Sequence, residues 1–105
     1  MARYRLLYHP LVVSRDIPKL DPPVRRRIRG AIEAKLIDHP EATAKPLAHT
    51  TERLWSLRVG DWRVIFALRE EEIWILKIGH RRDVYDRGGY PEPPAEGSVH
   101  EPGSR

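Results

Sequence analysis

The side chains best suited to chemistry in this sequence are arginines. Of the 19 basic residues 15 are arginine, and a guanidinium binds a phosphate through two parallel hydrogen bonds, which an ammonium cannot do. Residues 1–85 carry 17 basic and 11 acidic groups, a net charge of +6, against +4 for the whole chain. Because arginine stays charged, it can stabilise a phosphate but cannot transfer a proton. The composition favours a phosphate-bearing partner; the alternative is a charged surface without a specific ligand.

Arg58 and Arg63 flank a predicted hairpin. The segment Val59-Gly60-Asp61-Trp62 has the pattern of a two-residue turn in which Gly60 takes the positive φ of a type II′ turn. If Val59 pairs with Trp62, then Arg58 lies directly opposite Arg63. Like charges that face each other across two strands are unfavourable by roughly 0.2–1 kcal/mol. The pair therefore calls for an anion between its two members.

The following strand extends this cationic face. A three-residue turn at residues 70–72 would pair Phe66 with Leu76 and Val64 with Ile78, which keeps one apolar face continuous. The predicted face then collects four cations and, just beyond the last strand, an aromatic side chain: Arg58, Arg63, Lys77, Arg81 and Tyr85. We expect a cationic concavity with an aromatic rim. The alternative is that these arginines are solvated side chains on the open face of a sheet.

The elements that position these residues follow from apolar spacing and breakers. We predict a strand at Tyr4–His9, a short helix to about Leu20 that Pro18 curtails, a helix capped by Asp21 that runs to Pro40, a polar loop over residues 41–51, and three strands within residues 53–80. The order β-α-α-β-β-β predicts an α+β fold with two helices packed on one face of a small, mainly antiparallel sheet. The large aromatics are expected on the apolar, helix-covered face: Trp55, Trp62, Phe66 and Trp74.

The chain divides into a domain and a tail. Residues 1–85 form the predicted domain, whereas residues 86–105 hold four of the ten prolines and four of the seven glycines and are expected to be disordered. No cysteine is present, and the five histidines are scattered, so we expect no metal and no cofactor. No signal peptide or membrane span is recognised, and we expect a cytoplasmic location without a membrane partner.

Two segments, LWSLRVGDWRVIF at residues 54–66 and IGHRRDVY at residues 78–85, together resemble the signature of RelE toxins in the RelE/ParE superfamily. The resemblance covers residues 4–85. It implies the toxin of a type II toxin–antitoxin system: a metal-independent, ribosome-dependent endoribonuclease that cleaves mRNA by attack of a ribose 2′-hydroxyl on the adjacent phosphate. The implied partners are the ribosome, mRNA and a cognate antitoxin, with operator DNA contacted only through the antitoxin.

The resemblance also implies residue roles. Arg63 and Arg81 would hold the scissile phosphate, and Arg58 would orient the phosphate next to it. Tyr85 would stack on a base or assist proton transfer. We further predict RNA contacts from three cations: Lys45, Lys77 and Arg82.

The sequence departs from the family pattern at one strand. Many members carry lysines before the hairpin turn, where this chain has Leu54 and Ser56. His80, whose ordinary pKa near 6.5 suits proton transfer, is a candidate replacement, although the predicted register turns it toward the helices, and a structural role stays open.

Two other functions fit the same fold. A ParE-like protein would inhibit DNA gyrase through protein contacts without hydrolysis, and a decayed toxin would bind its antitoxin without inhibiting growth. The basic run RRRIR at residues 25–29 would contact ribosomal RNA or, as we favour, form a helix face that an acidic antitoxin segment covers.

Overall fold

The computed structural model describes residues 4–47, 54–84 and Pro91. Its elements are β1 (Arg5–Tyr8), α1 (Pro22–Lys35), α2 (Pro40–Thr43), β2 (Lys45–Pro46), β3 (Leu54–Val59), β4 (Trp62–Arg69) and β5 (Glu72–His80), with a π-helical turn at Val12–Asp16 and a 3₁₀ turn at Ile17–Lys19 before α1. Within these residues the strands form one five-stranded sheet in the order β1-β5-β4-β3-β2. β1 runs parallel to β5 and the other pairs are antiparallel, which confirms the predicted α+β class.

The hairpin of β3 and β4 has the predicted register. Val59 pairs with Trp62 and Arg58 with Arg63. Gly60, the first turn residue, has a φ of 62°, which L-residues with a Cβ adopt only at a cost. The turn residue type and the two-residue period of the strands were therefore sufficient to fix this pairing.

The turn between β4 and β5 differs from the prediction. Arg69 pairs with Glu72, so the turn has two residues rather than three, and its first residue, Glu70, has a positive φ of 46°. As a result Phe66 pairs with Ile75 and not with the predicted Leu76.

A β-bulge between these pairs restores the expected register further along. Ile65 pairs with Lys77 although Phe66 pairs with Ile75, so one strand gains a residue and its side-chain alternation shifts. Val64 then pairs with Ile78, as predicted. The bulge therefore directs Lys77 away from the helices and returns Ile78 to the core.

The segment before α1 is helical but irregular. The predicted first helix is a π-helical turn followed by a 3₁₀ turn, because Pro18 has no N–H to donate to an α-helical ladder. Asp16 in this segment accepts a hydrogen bond from the backbone N–H of Ile78 at 2.9 Å, which anchors the segment to β5.

α1 begins after Asp21, which occupies the predicted N-cap position, but the Asp21 side chain makes no capping hydrogen bond in the described structure. The helix ends at Lys35, five residues before Pro40. Ile28 and Ile32 are buried on the face toward the sheet. No helix in residues 4–47 or 54–84 is long and apolar enough to cross a bilayer.

The predicted polar loop at residues 41–51 is partly regular. Residues 40–46 contain α2 and the two-residue strand β2, which pairs with β3. Pro46 is acceptable there because β2 forms the edge of the described sheet and needs no second ladder of hydrogen bonds. Residues 48–53 lie outside the described residues, as do residues 85–90 and 92–105, which contain Tyr85 and most of the predicted tail.

The sheet has apolar residues on both faces. The helix-covered face carries the larger cluster, which includes Ile28, Leu57, Phe66 and Ile75. A second cluster on the opposite face contains Leu7, Leu54, Ile65, Ala67, Trp74, Leu76 and Val84. The prediction that Trp74 faces the helices is therefore wrong, because the two-residue turn before β5 sets the alternation of that strand.

Candidate functional site

The face opposite the helices has an apolar end and a cationic end. The cationic end follows from two rows of paired residues that cross the sheet. One row consists of Lys45, Ser56, Ile65 and Lys77, and the next consists of Arg58, Arg63 and Gly79. Directly paired residues share a face, so four cations from four different strands lie on one surface of the described sheet. The predicted convergence of Arg58, Arg63 and Lys77 is observed.

Arg63 is held against the hairpin turn. Its Nη1 donates hydrogen bonds to the carbonyl oxygens of Gly60 at 2.8 Å and Trp62 at 2.9 Å. Its guanidinium is therefore turned toward the tip of the β3–β4 hairpin, and the side chain is only partly exposed. Because the side chain is already held in place, binding an anion costs less side-chain entropy.

Arg81 approaches the same turn from the end of β5. Its backbone N–H donates to the carbonyl oxygen of Asp61 at 2.8 Å, and its Nε lies 3.8 Å from Asp61 Oδ1. The side chains of both partners are more than half exposed, so the ion pair is weak and can be exchanged for a stronger anion. Arg63 and Arg81 thus meet at the Gly60–Asp61 turn.

Lys45 reaches this face from β2. It is exposed and lies directly opposite Ser56, one of the two positions where the sequence resemblance implies a lysine and this chain has none. Directly opposed Cβ atoms are about 4.5–5.5 Å apart, so the Lys45 side chain can reach the space above Ser56. The edge strand β2, which the sequence pattern did not reveal, therefore places the predicted site residue Lys45 on the same face as the arginines.

His80 lies on the other face. It pairs with Trp62, and the two rings meet edge to face with centroids 5.4 Å apart. Its Nδ1 accepts the backbone N–H of Arg82 at 3.2 Å. The structure thus separates His80 from the arginine face, as the predicted register required.

The chain turns back onto the cationic face after β5. The backbone N–H groups of Asp83 and Val84 both donate to the carbonyl oxygen of His80, at 2.8 and 2.9 Å. Val84 is buried in the second apolar cluster, while Arg82 is exposed on the turn. Tyr85 follows directly and lies outside the described residues, so its predicted role at the rim stays a prediction.

No three histidine, aspartate or glutamate side chains come together to hold a metal ion in the part of the chain that the structure describes.

Arg27 lies at the same hairpin turn, although the sequence did not single it out. It belongs to α1, yet its guanidinium lies on the β3–β4 hairpin: a Cβ built on Gly60 would be 2.7 Å from Arg27 Nη2. The signal in the sequence was only the basic run at residues 25–29. Which member of that run meets the turn depends on how α1 crosses the sheet.

The helix-covered side carries a separate groove of about 370 Å³ between the π-helical segment, α1 and the sheet. Its lining is mostly apolar, with charged groups at Arg25, Arg29 and Glu33. Val13, at 40% exposure, is one of the most exposed large apolar side chains of the described residues, and it lines this groove.

Two titratable groups near this groove are perturbed. Burial raises the pKa of Tyr8, Glu33 adds to the increase, and Arg29 opposes it. Burial lowers the pKa of His9, whose Nδ1 accepts the backbone N–H of Leu11 at 3.0 Å. Neither residue is on the arginine face.

Comparison with known proteins agrees with the sequence resemblance. Residues 13–85 match the family described as ParE toxin of type II toxin–antitoxin system, parDE. Toxin RelG of Mycobacterium tuberculosis strain H37Rv is 29% identical over 75 residues, which cover 70% of this chain and 86% of RelG.

Solved structures give the same result. The toxin–antitoxin complex RelBE2 from Mycobacterium tuberculosis contains a chain with a TM-score of 0.70 and 26% identity, covering 79% of this chain and 97% of that one. The archaeal RelE–RelB complex from Pyrococcus horikoshii OT3 contains one with a TM-score of 0.57 and 28% identity, covering 77% and 98%.

Proposed function

The chain belongs to the ParE toxin family of type II toxin–antitoxin systems, and we propose that it is a toxin that cleaves mRNA on the ribosome. The observation that carries the proposal is the cationic end of the open sheet face, where Arg58, Arg63 and Lys77 share one surface and Arg81 joins Arg63 at the hairpin turn. The similarity to RelG and to chains from the RelBE2 and RelE–RelB complexes supports a RelE-type toxin, for which the sequence resemblance implies mRNA cleavage.

The proposed reaction is attack of a ribose 2′-oxygen on the adjacent phosphorus. The 2′-hydroxyl loses its proton, the new P–O bond forms, and the bond to the 5′-oxygen breaks as that oxygen takes up a proton. Charge accumulates on the non-bridging phosphate oxygens in the transition state. Arg63 and Arg81 stabilise this charge, and Arg58 holds the neighbouring phosphate. No metal is needed for the charge stabilisation.

The proton transfers need other groups, because arginine does not give up its proton. We assign them to Tyr85 and Lys45. Lys45 is chosen because it lies opposite Ser56 on the arginine face. We assign a structural role to His80, because its ring packs on Trp62 and its Nδ1 is occupied by a backbone N–H. Lys77 and Arg82 contact RNA phosphates in this assignment.

The experiment that tests the proposal is primer extension on an mRNA in a purified translation system, with and without ribosomes. The native protein is expected to cut within codons only when ribosomes are present, and Arg63→Ala and Arg81→Ala are expected to abolish the cuts. Arg69→Ala is the control, because Arg69 is on the same face of β4 but at its opposite end, paired with Glu72. Intact mRNA with the native protein would contradict the proposal.

Inhibition of DNA gyrase is the second candidate function. It is favoured by the matched family, which is named for ParE, and by the presence of Leu54 and Ser56 where lysines were expected. A supercoiling assay with purified gyrase separates the two candidates. Inhibition of gyrase together with intact mRNA would support the second one.

We also propose a cognate antitoxin as the protein partner, acting in the cytoplasm. The two similar solved chains were both determined in toxin–antitoxin complexes. The apolar groove beside α1 suits an amphipathic helix with acidic residues, because two arginines, Arg25 and Arg29, border it against one carboxylate, Glu33. Val13→Asp is expected to weaken the complex, whereas Ser14→Asp, at an exposed neighbour outside the groove, is the control. Equal affinities of the two variants for the antitoxin would exclude the groove as the docking surface.

A further inference from the structure

The Gly60–Asp61 turn is a meeting point for guanidinium groups. Arg63 donates to the Gly60 carbonyl oxygen at 2.8 Å, and Arg81 Nε lies 3.8 Å from Asp61 Oδ1. Arg27 lies over the turn from the helix side, within 2.7 Å of where a Gly60 Cβ would be. Three cations from α1, β4 and the end of β5 therefore surround a turn whose own charge is one carboxylate.

Arg27 differs from its neighbours on α1. Arg29 pairs with Glu33 at 3.3 Å, one helical turn away, and Arg25 donates to the Leu20 carbonyl oxygen at 3.1 Å. These two side chains are bound within their own segment of the chain. Arg27 instead reaches across to the hairpin, and the absence of a side chain at Gly60 is what permits the approach.

We propose that Arg27 is a phosphate contact for mRNA, and that the RNA strand leaves the arginine face of the sheet across the Gly60–Asp61 turn toward α1. The inference rests on the proposed nuclease function. An anion is favoured at the turn because the like charges of Arg27, Arg63 and Arg81 repel one another, and a polyanion relieves this repulsion at several points. RNA is favoured over an acidic protein because Arg63 and Arg81 already belong to the proposed phosphate site, so that one strand serves all three.

The position of Arg27 defines its role. It approaches the turn from the helix side, whereas Arg58 and Arg63 are on the open face. It therefore binds a phosphate beside the scissile one and takes no part in bond cleavage. Its removal is expected to raise the toxin concentration for half-maximal cleavage about tenfold, the effect of losing one charge-assisted hydrogen bond, with the rate at saturation unchanged.

The experiment uses ribosome-bound mRNAs in which single phosphates beside the cleavage site are replaced, one at a time, by a neutral methylphosphonate. Native protein, Arg27→Ala and Arg26→Ala are compared. Arg26 is an exposed neighbour on the same helix and provides the same change in charge. One replacement is expected to weaken cleavage by native protein and by Arg26→Ala about tenfold, but to have no effect on Arg27→Ala, which already lacks that contact.

The outcomes separate this inference from the proposed function. If Arg27→Ala responds to every replacement as native protein does, the mRNA contact is excluded, although cleavage that depends on Arg63 leaves the nuclease function intact. If Arg27→Ala weakens antitoxin binding without affecting cleavage, Arg27 belongs to the protein interface and the inference is wrong. If the native protein does not cleave mRNA at all, the nuclease function and this inference both fail.

Discussion

Lys45 of β2 lies directly opposite Ser56 of β3, on the sheet face that carries Arg58 and Arg63. The ammonium group that the sequence lacks on β3 is thus available from the neighbouring strand. Opposed residues on neighbouring strands share a face, and their Cβ atoms are about 4.5–5.5 Å apart. A side chain on one strand can therefore occupy the space of a side chain that is missing at the opposed position.

The first prediction follows from this pair. Lys45→Ala is expected to lower the rate of mRNA cleavage at saturating toxin by about 10²-fold, the usual effect of removing a proton-transfer group. Lys35→Ala, at the exposed end of α1, is expected to have no effect. Single-turnover cleavage measures both.

A swap tests the geometric argument directly. In the Lys45→Ala background, Ser56→Lys returns a lysine to the same part of the sheet face and is expected to recover at least part of the lost rate. If Lys45→Ala cleaves mRNA as fast as the native protein, Lys45 takes no part in the proton transfer.

The second prediction concerns the two structured glycines that differ most in environment. Gly60→Ala is expected to destabilise the protein by about 1–2 kcal/mol, because Gly60 has a φ of 62°. Gly30→Ala is expected to stabilise it by about 0.5–1 kcal/mol, because Gly30 is inside α1 and a Cβ there meets nothing within 4 Å. Urea unfolding gives both values. Equal effects of the two substitutions would contradict the assigned backbone conformations.

The third prediction tests whether the apolar cluster on the open face is a true core. Leu76 is 1% exposed, and Leu76→Ala is expected to cost about 2–5 kcal/mol of the free energy of unfolding. Leu11 is 37% exposed, and Leu11→Ala is expected to change it by less than about 0.5 kcal/mol. A small effect at Leu76 would show that the cluster contributes little to the free energy of unfolding.

The fourth prediction is a pH dependence of stability. Burial lowers the pKa of His9 in the folded protein below its ordinary value of 6.5, so the unfolded chain binds a proton more readily than the folded one. The contribution of His9 to stability is therefore fully present above pH about 6.5 and is lost as the pH falls through the lowered pKa.

His9→Asn isolates this effect. Asparagine retains an acceptor for the Leu11 N–H and removes the titration. Its unfolding free energy is expected to fall less than that of the native protein between pH 7 and pH 5. His39→Asn serves as the control at an exposed histidine. Parallel pH profiles for native protein and His9→Asn would exclude the effect.

The sequence by itself determined the parts of this protein that depend on local rules. Gly60 in a two-residue turn, together with the alternation of side chains along a strand, fixed the pairing of Arg58 with Arg63. The helical period and Pro22 located the start of α1. Each of these features rests on interactions between residues that are close in the sequence.

Tertiary structure decided the rest. Three consecutive glutamates, at residues 70–72, gave no local sign of where the turn begins. The bulge that pairs Lys77 with Ile65 places Leu76 in one apolar cluster and Ile78 in the other, on opposite faces of the sheet. β2 has two residues and no pattern of its own, so its pairing with β3 is set by the sheet edge that it meets. Arg27 reaches Gly60 only because α1 crosses the sheet as it does. These contacts join distant parts of the chain, and their free energy exists only once the core has formed.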